Sequence, residues 1–148
     1  MLLRPGIMVT RPDSPEVLLV VEVKGNIADQ KSTEAALKSY MVHMSCPVGM
    51  LVTREHVRFY RNRYTDYAPQ TIEMIGECPT SELLGTLPRG TVTELDLERR
   101  VEEWLESLRV GGDLSWPSAV REAIESSVLP VVSGAIVRAG GPRWRRAG

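Results

Sequence analysis

The sequence lacks the features of membrane, secreted and disulfide-stabilised proteins. It has two cysteines, Cys46 and Cys78, in 148 residues, and their spacing is not that of a metal-binding pair. No apolar run approaches the length of a bilayer span, and the first residues lack the apolar core of a signal peptide. We therefore expect a cytoplasmic protein with reduced, structural cysteines and no membrane partner.

The sequence also has no large excess of positive or negative charge, and it lacks several catalytic motifs. The formal net charge is −1, so any nucleic-acid surface would have to come from local clustering of basic residues. The two histidines, His43 and His56, have no spacing that suggests a Ser-His-Asp triad. No glycine-rich loop opens a helix to cradle phosphate, and we expect no organic cofactor.

The most informative stretch is residues 17–25, VLLVVEVKG. Its five leading apolar residues are too few for a typical helix and too apolar for a surface strand, which predicts a buried central strand. Alternation puts Glu22 and Lys24 on one face and Val23 on the other. Taken alone, this pair is most simply an ion pair where the strand emerges into water. Two charges at the end of a central strand are costly unless they are paired, solvated or used.

The rest of the pattern predicts an α/β fold with a small mixed central sheet. A strand at residues 6–11 and a turn at 12–16 form an antiparallel hairpin with the strand 17–25. A helix at 27–45 is a crossover that makes the strand 48–53 parallel to the strand 17–25. A further strand is predicted at 57–64, with weaker signals for a strand at 71–75 and a helical turn at 80–84.

The C-terminal part of the sequence is predicted to be mainly helical. A helix is expected at residues 93–110, with a capping box from Thr91 to Glu94, and another at 117–127. Residues 129–137 fit either a helix or a strand. We expect one domain over residues 1–137, followed by a basic tail at 138–148.

The order of hairpin, Glu-x-Lys, helix and strand resembles the core of the PD-(D/E)xK nuclease superfamily. Residues 17–62 are similar to the nuclease domain at the start of the motor subunit of type I restriction enzymes, through LLVVEVKG, ALKSYM, GMLVT and HVRFYRN. The resemblance covers about a third of the chain, and its only chemical motif is short. It implies a restriction-endonuclease-like fold that hydrolyses DNA phosphodiesters with Mg²⁺ or Mn²⁺, in restriction, defence or mobile-element function.

The resemblance also assigns site residues. Glu22 would give a carboxylate and Val23 a main-chain carbonyl to the metal, and Lys24 would orient or activate the attacking water. The second carboxylate would come from an Asp in the first hairpin strand, where this chain has Gly6. Asp13 ends a literal Pro-Asp pair and is the other candidate ligand. As part of the hairpin turn, however, it would lie about 27 Å from Glu22 at roughly 3.3 Å per residue.

The chain departs from the family in two further ways, and these support an alternative function. Ala36 stands where many relatives carry Gln, and residues 1–5 leave no room for the leading helix that usually covers the sheet and often adds an acid to the site. The alternative is a catalytically inactive, nuclease-derived binding or assembly module. Either the chain is a shortened version of the fold, or a second copy covers the bare face, which suggests a homodimer.

Two charged segments have competing interpretations. Basic residues interleaved with aromatics in the predicted strand after residue 53 could bind a nucleic-acid backbone: Arg54, Arg58, Arg61 and Arg63. The alternative is an edge strand kept soluble by charge. Five acids of the helix at 93–110 are most simply its solvated face: Glu94, Glu98, Glu102, Glu103 and Glu106.

Overall fold

A single six-stranded sheet organises the protein. The computed structural model describes residues 5–25, 30–87, 93–111 and 115–139. The strands are β1 (Ile7–Thr10), β2 (Val17–Val23), β3 (Val48–Val52), β4 (His56–Asn62), β5 (Ile72–Pro79) and β6 (Ile136–Ala139). Their order is β5-β4-β3-β2-β1-β6. The β2–β3 pairing is parallel and the other four pairings are antiparallel, so the predicted α/β fold with a mixed sheet is confirmed.

Helices cover both faces of the sheet. They are α1 (Gln30–His43), α2 (Thr80–Leu84), α3 (Glu94–Arg109), α4 (Ser118–Ala123) and α5 (Leu129–Val132). A 3₁₀ turn, Pro69–Thr71, precedes β5, and one turn of π-helix, Ile124–Val128, joins α4 to α5. Among the described residues, no helix has the length and apolar character needed to cross a bilayer.

Strand β2 lies inside the sheet because both of its faces are apolar. All of its residues are buried, and β1 and β3 flank it. Val21 and Val23 point into a core shared with α3, whereas Val17 and Val20 point into a smaller core shared with α1. The predicted buried central strand is confirmed.

The predicted hairpin and crossover are both present. Ile7 of β1 lies opposite Val21 of β2, and α1 carries the chain to β3, which runs parallel to β2. Helix α1 can approach β3 closely because Gly49 has no side chain: a Cβ there would lie 2.5 Å from the Met41 Sδ. Part of the predicted start of this helix falls in residues 26–29, outside the described residues.

The sheet face that the sequence left bare is covered by α3 and by the segment from α4 to α5. Leu97, Val101 and Leu105 of α3 are each 0% exposed and pack in the larger core. Burying each such side chain contributes about 1.5–3 kcal/mol. A second copy is therefore not needed to cover this face, and the homodimer itself stays a prediction.

The C-terminal half differs from its predicted boundaries. Strand β5 runs to Pro79 and makes β4 an interior strand, which removes the edge-strand interpretation of β4. Helix α3 is capped by a box between Thr93 and Asp96. The capping box predicted from Thr91 is wrong, and Thr91 itself lies outside the described residues.

The chain after residue 129 forms a helix and then a strand. Helix α5 is followed by β6, which pairs with β1 as far as Ala139. The Arg138 Nε donates a hydrogen bond to the Thr10 Oγ1 at 3.0 Å. The predicted domain boundary after residue 137 therefore falls within a strand, and the rest of the predicted tail, residues 140–148, lies outside the described residues.

Candidate functional site

The candidate site is the C-terminal end of β2, where Glu22 is buried in the sheet. Only 5% of Glu22 is exposed, and its Oε1 accepts a hydrogen bond from the Val23 amide at 3.2 Å. Leu51 of β3 is the register partner of Glu22, and on the other side the Gly6 amide donates a hydrogen bond to the carbonyl of Val21, the residue before Glu22. The structure therefore does not contain the simplest predicted arrangement, in which Glu22 and Lys24 form an ion pair where the strand emerges into water.

Burial changes the acidity of this carboxyl group. Removal from water raises the pKa of Glu22 from its ordinary 4.5 to about 7. Lys24 and the Val23 amide lower this pKa, and the carboxylates of Glu94 and Glu98 raise it. A neighbouring divalent cation would relieve the same repulsion and favour the charged form.

Lys24 lies half-buried directly after β2. Its amide donates a hydrogen bond to the Val52 carbonyl at 2.9 Å, so the β2–β3 pairing continues past the strand end. Lys24 is close enough to Glu22 to lower the pKa of that carboxyl. The structure thus brings together the two residues predicted to be catalytic.

Two acids that the sequence placed on a solvated helix face reach this strand end. The Glu94 Oε1 accepts a hydrogen bond from the Gly25 amide at 3.1 Å. The Glu98 carboxylate lies against Gly6: its Oε1 would be 2.6 Å, and its Cδ 3.0 Å, from a Cβ at that position. A sequence signal existed in the i, i+4 spacing of the two acids at the start of α3, together with a glycine where an Asp was expected.

Asp13 is separated from this cluster by the length of the hairpin. It lies in the turn between β1 and β2, beyond the Thr10–Val17 pair. From Val17 to Glu22 the strand spans about 17 Å at roughly 3.3 Å per residue. Asp13 and Glu22 therefore cannot contact one ion. This corrects the prediction that Asp13 is a metal ligand at this site, and it agrees with the interpretation of Asp13 as a turn residue.

A cavity of about 430 Å³ opens beside the strand end. Its lining includes Gly25 after β2, Gln30 of α1, Thr53 after β3, and the basic side chains Arg54 and Arg58. It lies where the carboxyl ends of the two parallel strands meet, a common place for ligand sites in α/β sheets. The candidate catalytic pair and this cavity thus share one rim of the sheet.

Three of the four arginines predicted to bind nucleic acid are paired with acids of the same protein. The Arg58 Nε donates to Glu77 at 2.5 Å, and its Nη1 lies 3.5 Å from the Glu34 carboxylate. Arg61 and Arg63 both pair with Glu73. Arg54 lies in the loop after β3 and lines the cavity. Most of the predicted basic strand is thus a ladder of ion pairs between β4 and β5.

Helix α1 also contacts this ladder, through Glu34 and Gln30. The Tyr60 hydroxyl donates to the Glu34 carboxylate at 2.5 Å, and burial together with Glu34 raises the pKa of Tyr60. Gln30, in its favoured amide orientation, places its side-chain oxygen against the Arg58 guanidinium. Ala36, at the expected Gln position, has no polar group to offer.

The donor atoms at the strand end fit a hard divalent cation. Within the described ranges, no group of three or more His, Cys, Asp or Glu side chains has the arrangement of a metal site. The set implied by the resemblance is smaller, consisting of two carboxylates and one main-chain carbonyl, because Mg²⁺ keeps several waters. Burial is the main cause of the raised pKa of Glu22, and the Glu98 carboxylate, which lies against Gly6, adds a smaller increase.

Comparisons of the chain with protein-family models, curated proteins and solved structures found no match in any of the three.

Proposed function

We propose that the chain is a PD-(D/E)xK-type nuclease that hydrolyses DNA phosphodiesters with Mg²⁺ or Mn²⁺, in restriction, defence or mobile-element function. The observation that supports it most is the proximity of buried Glu22 to half-buried Lys24 at the end of a central strand, beside an open cavity. A charged pair at this position has a high cost in stability, which selection tolerates where the charges are used.

Each residue of the motif has a role that its position allows. Glu22 and the Val23 carbonyl would hold the cation, and Lys24 would orient the attacking water and offset charge on the phosphate. When bound, the cation stabilises the negative charge that develops on the phosphate and the leaving oxygen. The burial of Glu22 restricts its rotamers, so its carboxylate is positioned before any ligand binds.

DNA is the proposed partner. Arg54 and Arg58 line the cavity at the strand end and are the basic residues that would meet it there. We propose that the protein acts in the cytoplasm, which accords with Cys46 and Cys78 being free and buried.

A cleavage assay tests the activity. Supercoiled plasmid is incubated with purified protein and Mg²⁺ or Mn²⁺, using the wild type, Glu22→Gln, Lys24→Ala and the matched control Asp13→Asn. We expect cation-dependent cleavage that falls by about 10²-fold or more in the first two variants. Asp13→Asn should retain full activity, because Asp13 lies at the other end of the hairpin. Cleavage that persists unchanged in Glu22→Gln would sink the proposal.

The alternative proposal is a catalytically inactive module that uses the same fold for binding or assembly. It is favoured by Gly6, which has no carboxylate, and by Ala36, which has no amide. A wild-type protein that binds DNA fragments in a mobility-shift assay but never cleaves them with either cation would select this alternative. Cleavage that depends on Glu22 would exclude it.

A further inference from the structure

A carboxylate from another element, that of Glu98 in α3, lies against Gly6, where the resemblance leads us to expect an Asp in the hairpin. Gly6 neighbours Glu22 across the hairpin, since Ile7 pairs with Val21. The Glu98 Oε1 lies 2.6 Å from the position of a Cβ on Gly6, a distance close to that between the Cβ and the carboxylate oxygens of an aspartate. The acid at the start of α3 therefore occupies the volume that an Asp side chain at residue 6 would fill.

The position of Glu98 is determined by the way α3 is anchored. The Thr93–Asp96 capping box fixes the first turn, and the Glu94 Oε1 bonds the Gly25 amide at the end of β2. Leu97 and Val101, on either side of Glu98 in the sequence, are 0% exposed in the core. These contacts leave Glu98 little freedom except in its own side-chain torsions.

We propose that Glu98 is the second carboxylate ligand of the cation held by Glu22, in place of the missing hairpin Asp. This inference rests on the proposed function, because it names a further ligand of the same site. The ligand class is a hard divalent cation such as Mg²⁺ or Mn²⁺, which prefers carboxylate oxygens and water. The half-buried Glu98 and the buried Glu22 provide these oxygens from two different elements.

The same geometry relates residue 6 to Glu98. A Cβ at position 6 would overlap the present position of the Glu98 carboxylate, so an aspartate there would displace that carboxylate. Gly6→Asp alone should therefore not improve cation binding. Gly6→Asp combined with Glu98→Ala should return the carboxylate to the hairpin.

Binding of Mn²⁺ to the full chain, measured by calorimetry and by the electron paramagnetic resonance signal of free Mn²⁺, tests the assignment without any need for activity. The variants are Glu22→Gln, Glu98→Gln, Gly6→Asp/Glu98→Ala and the control Glu106→Gln. Glu106 lies two turns further along α3 and pairs with Arg109, away from the strand end. Circular dichroism and thermal unfolding establish that each variant is folded.

We expect one Mn²⁺ per chain, with affinity at least tenfold weaker in Glu98→Gln and in Glu22→Gln and unchanged in Glu106→Gln. The double variant should recover affinity to within about threefold of the wild type. Binding that is lost in Glu22→Gln but unaffected by Glu98→Gln would overturn the role of Glu98 and leave the proposed nuclease function standing. A wild type that binds no Mn²⁺ would overturn both.

Discussion

Two charged regions of this protein look alike in the sequence but differ in how their charges are balanced. Along β4 and β5, arginines and glutamates alternate and pair across the strands, as Arg58 does with Glu77 and Arg61 with Glu73. At the end of β2, Glu22 is buried, and the carboxylates of Glu94 and Glu98 raise its pKa while Lys24 lowers it. Balanced charges are typical of a structural surface, whereas an excess of one sign at a buried position indicates a ligand site.

The largest expected effect is on the free energy of unfolding, when Glu22 at the end of β2 is substituted. Glu22→Gln should raise the free energy of unfolding by about 3 kcal/mol at pH 8.5 in metal-free buffer and leave it nearly unchanged at pH 4. The pKa of Glu22 is raised to about 7 in the folded protein, so the folded state holds this proton more tightly than the unfolded chain. Wild-type stability should therefore fall as the pH rises from about 4.5 to about 7, and stay level above that.

Denaturant unfolding across this pH range measures the effect, and Glu103→Gln is the control. Glu103 is an exposed acid on α3, and its removal should leave the pH dependence of the wild type in place. If Glu22→Gln and the wild type have parallel stability profiles between pH 4.5 and 7, burial does not raise the pKa of Glu22 in the folded protein.

The next largest effect is on stability, when Glu34 beside β4 is substituted. Glu34→Ala should destabilise the protein by about 1–3 kcal/mol, because it leaves the buried Tyr60 hydroxyl without its acceptor. Glu34→Gln keeps an acceptor oxygen and should cost less. Urea unfolding at pH 7 compares the two variants, and equal losses would mean that the charge of Glu34, rather than its hydrogen bond, matters.

A smaller change is expected at the outer rung of the ladder. Glu73→Ala removes the partner of Arg61 and Arg63, whose side chains are 45% and 48% exposed. Exposed ion pairs contribute at most about 1 kcal/mol, and 1 M salt screens most of that. A loss of stability well above about 1 kcal/mol, or one that persists in 1 M NaCl, would show that these ion pairs contribute more than exposed pairs usually do.

The smallest effect is expected on DNA affinity. The double variant Arg61→Ala/Arg63→Ala should change the dissociation constant for duplex DNA by less than about threefold, since both arginines pair with Glu73 in the protein itself. Loss of a real phosphate contact would lower the slope of log affinity against log salt by about 1 per residue. Titrations at several salt concentrations distinguish the two cases, and a slope reduced by about 2 would restore the predicted nucleic-acid role of these arginines.

The elements that local patterns define could be predicted from the sequence. The apolar run of β2, the turn before it and the crossover helix all appear close to their predicted bounds, because burial and turn chemistry are encoded within a few residues. The capping box of α3 begins at Thr93 rather than at the predicted Thr91, and the sequence does not distinguish the two because both precede an acid at the required spacing.

The candidate site could be predicted only in part. Glu22 and Lys24 follow from alternation along one strand. Glu98 lies far from them in the sequence, and its polar periodicity on α3 is the same as that of a solvated face. The charge pairing of Arg58 was missed for the same reason, because its partners belong to α1 and β5.

The most direct test of the central claim is the titration of Glu22 itself. Carboxyl ¹³C NMR of the metal-free protein, assigned through Glu22→Gln, should give a pKa of about 7. Addition of Mg²⁺ at pH 6.5 should then shift the Glu22 resonance to its deprotonated position. An ordinary carboxyl pKa near 4.5, or a resonance that Mg²⁺ leaves in place, would contradict the account of a buried carboxylate positioned for a divalent cation.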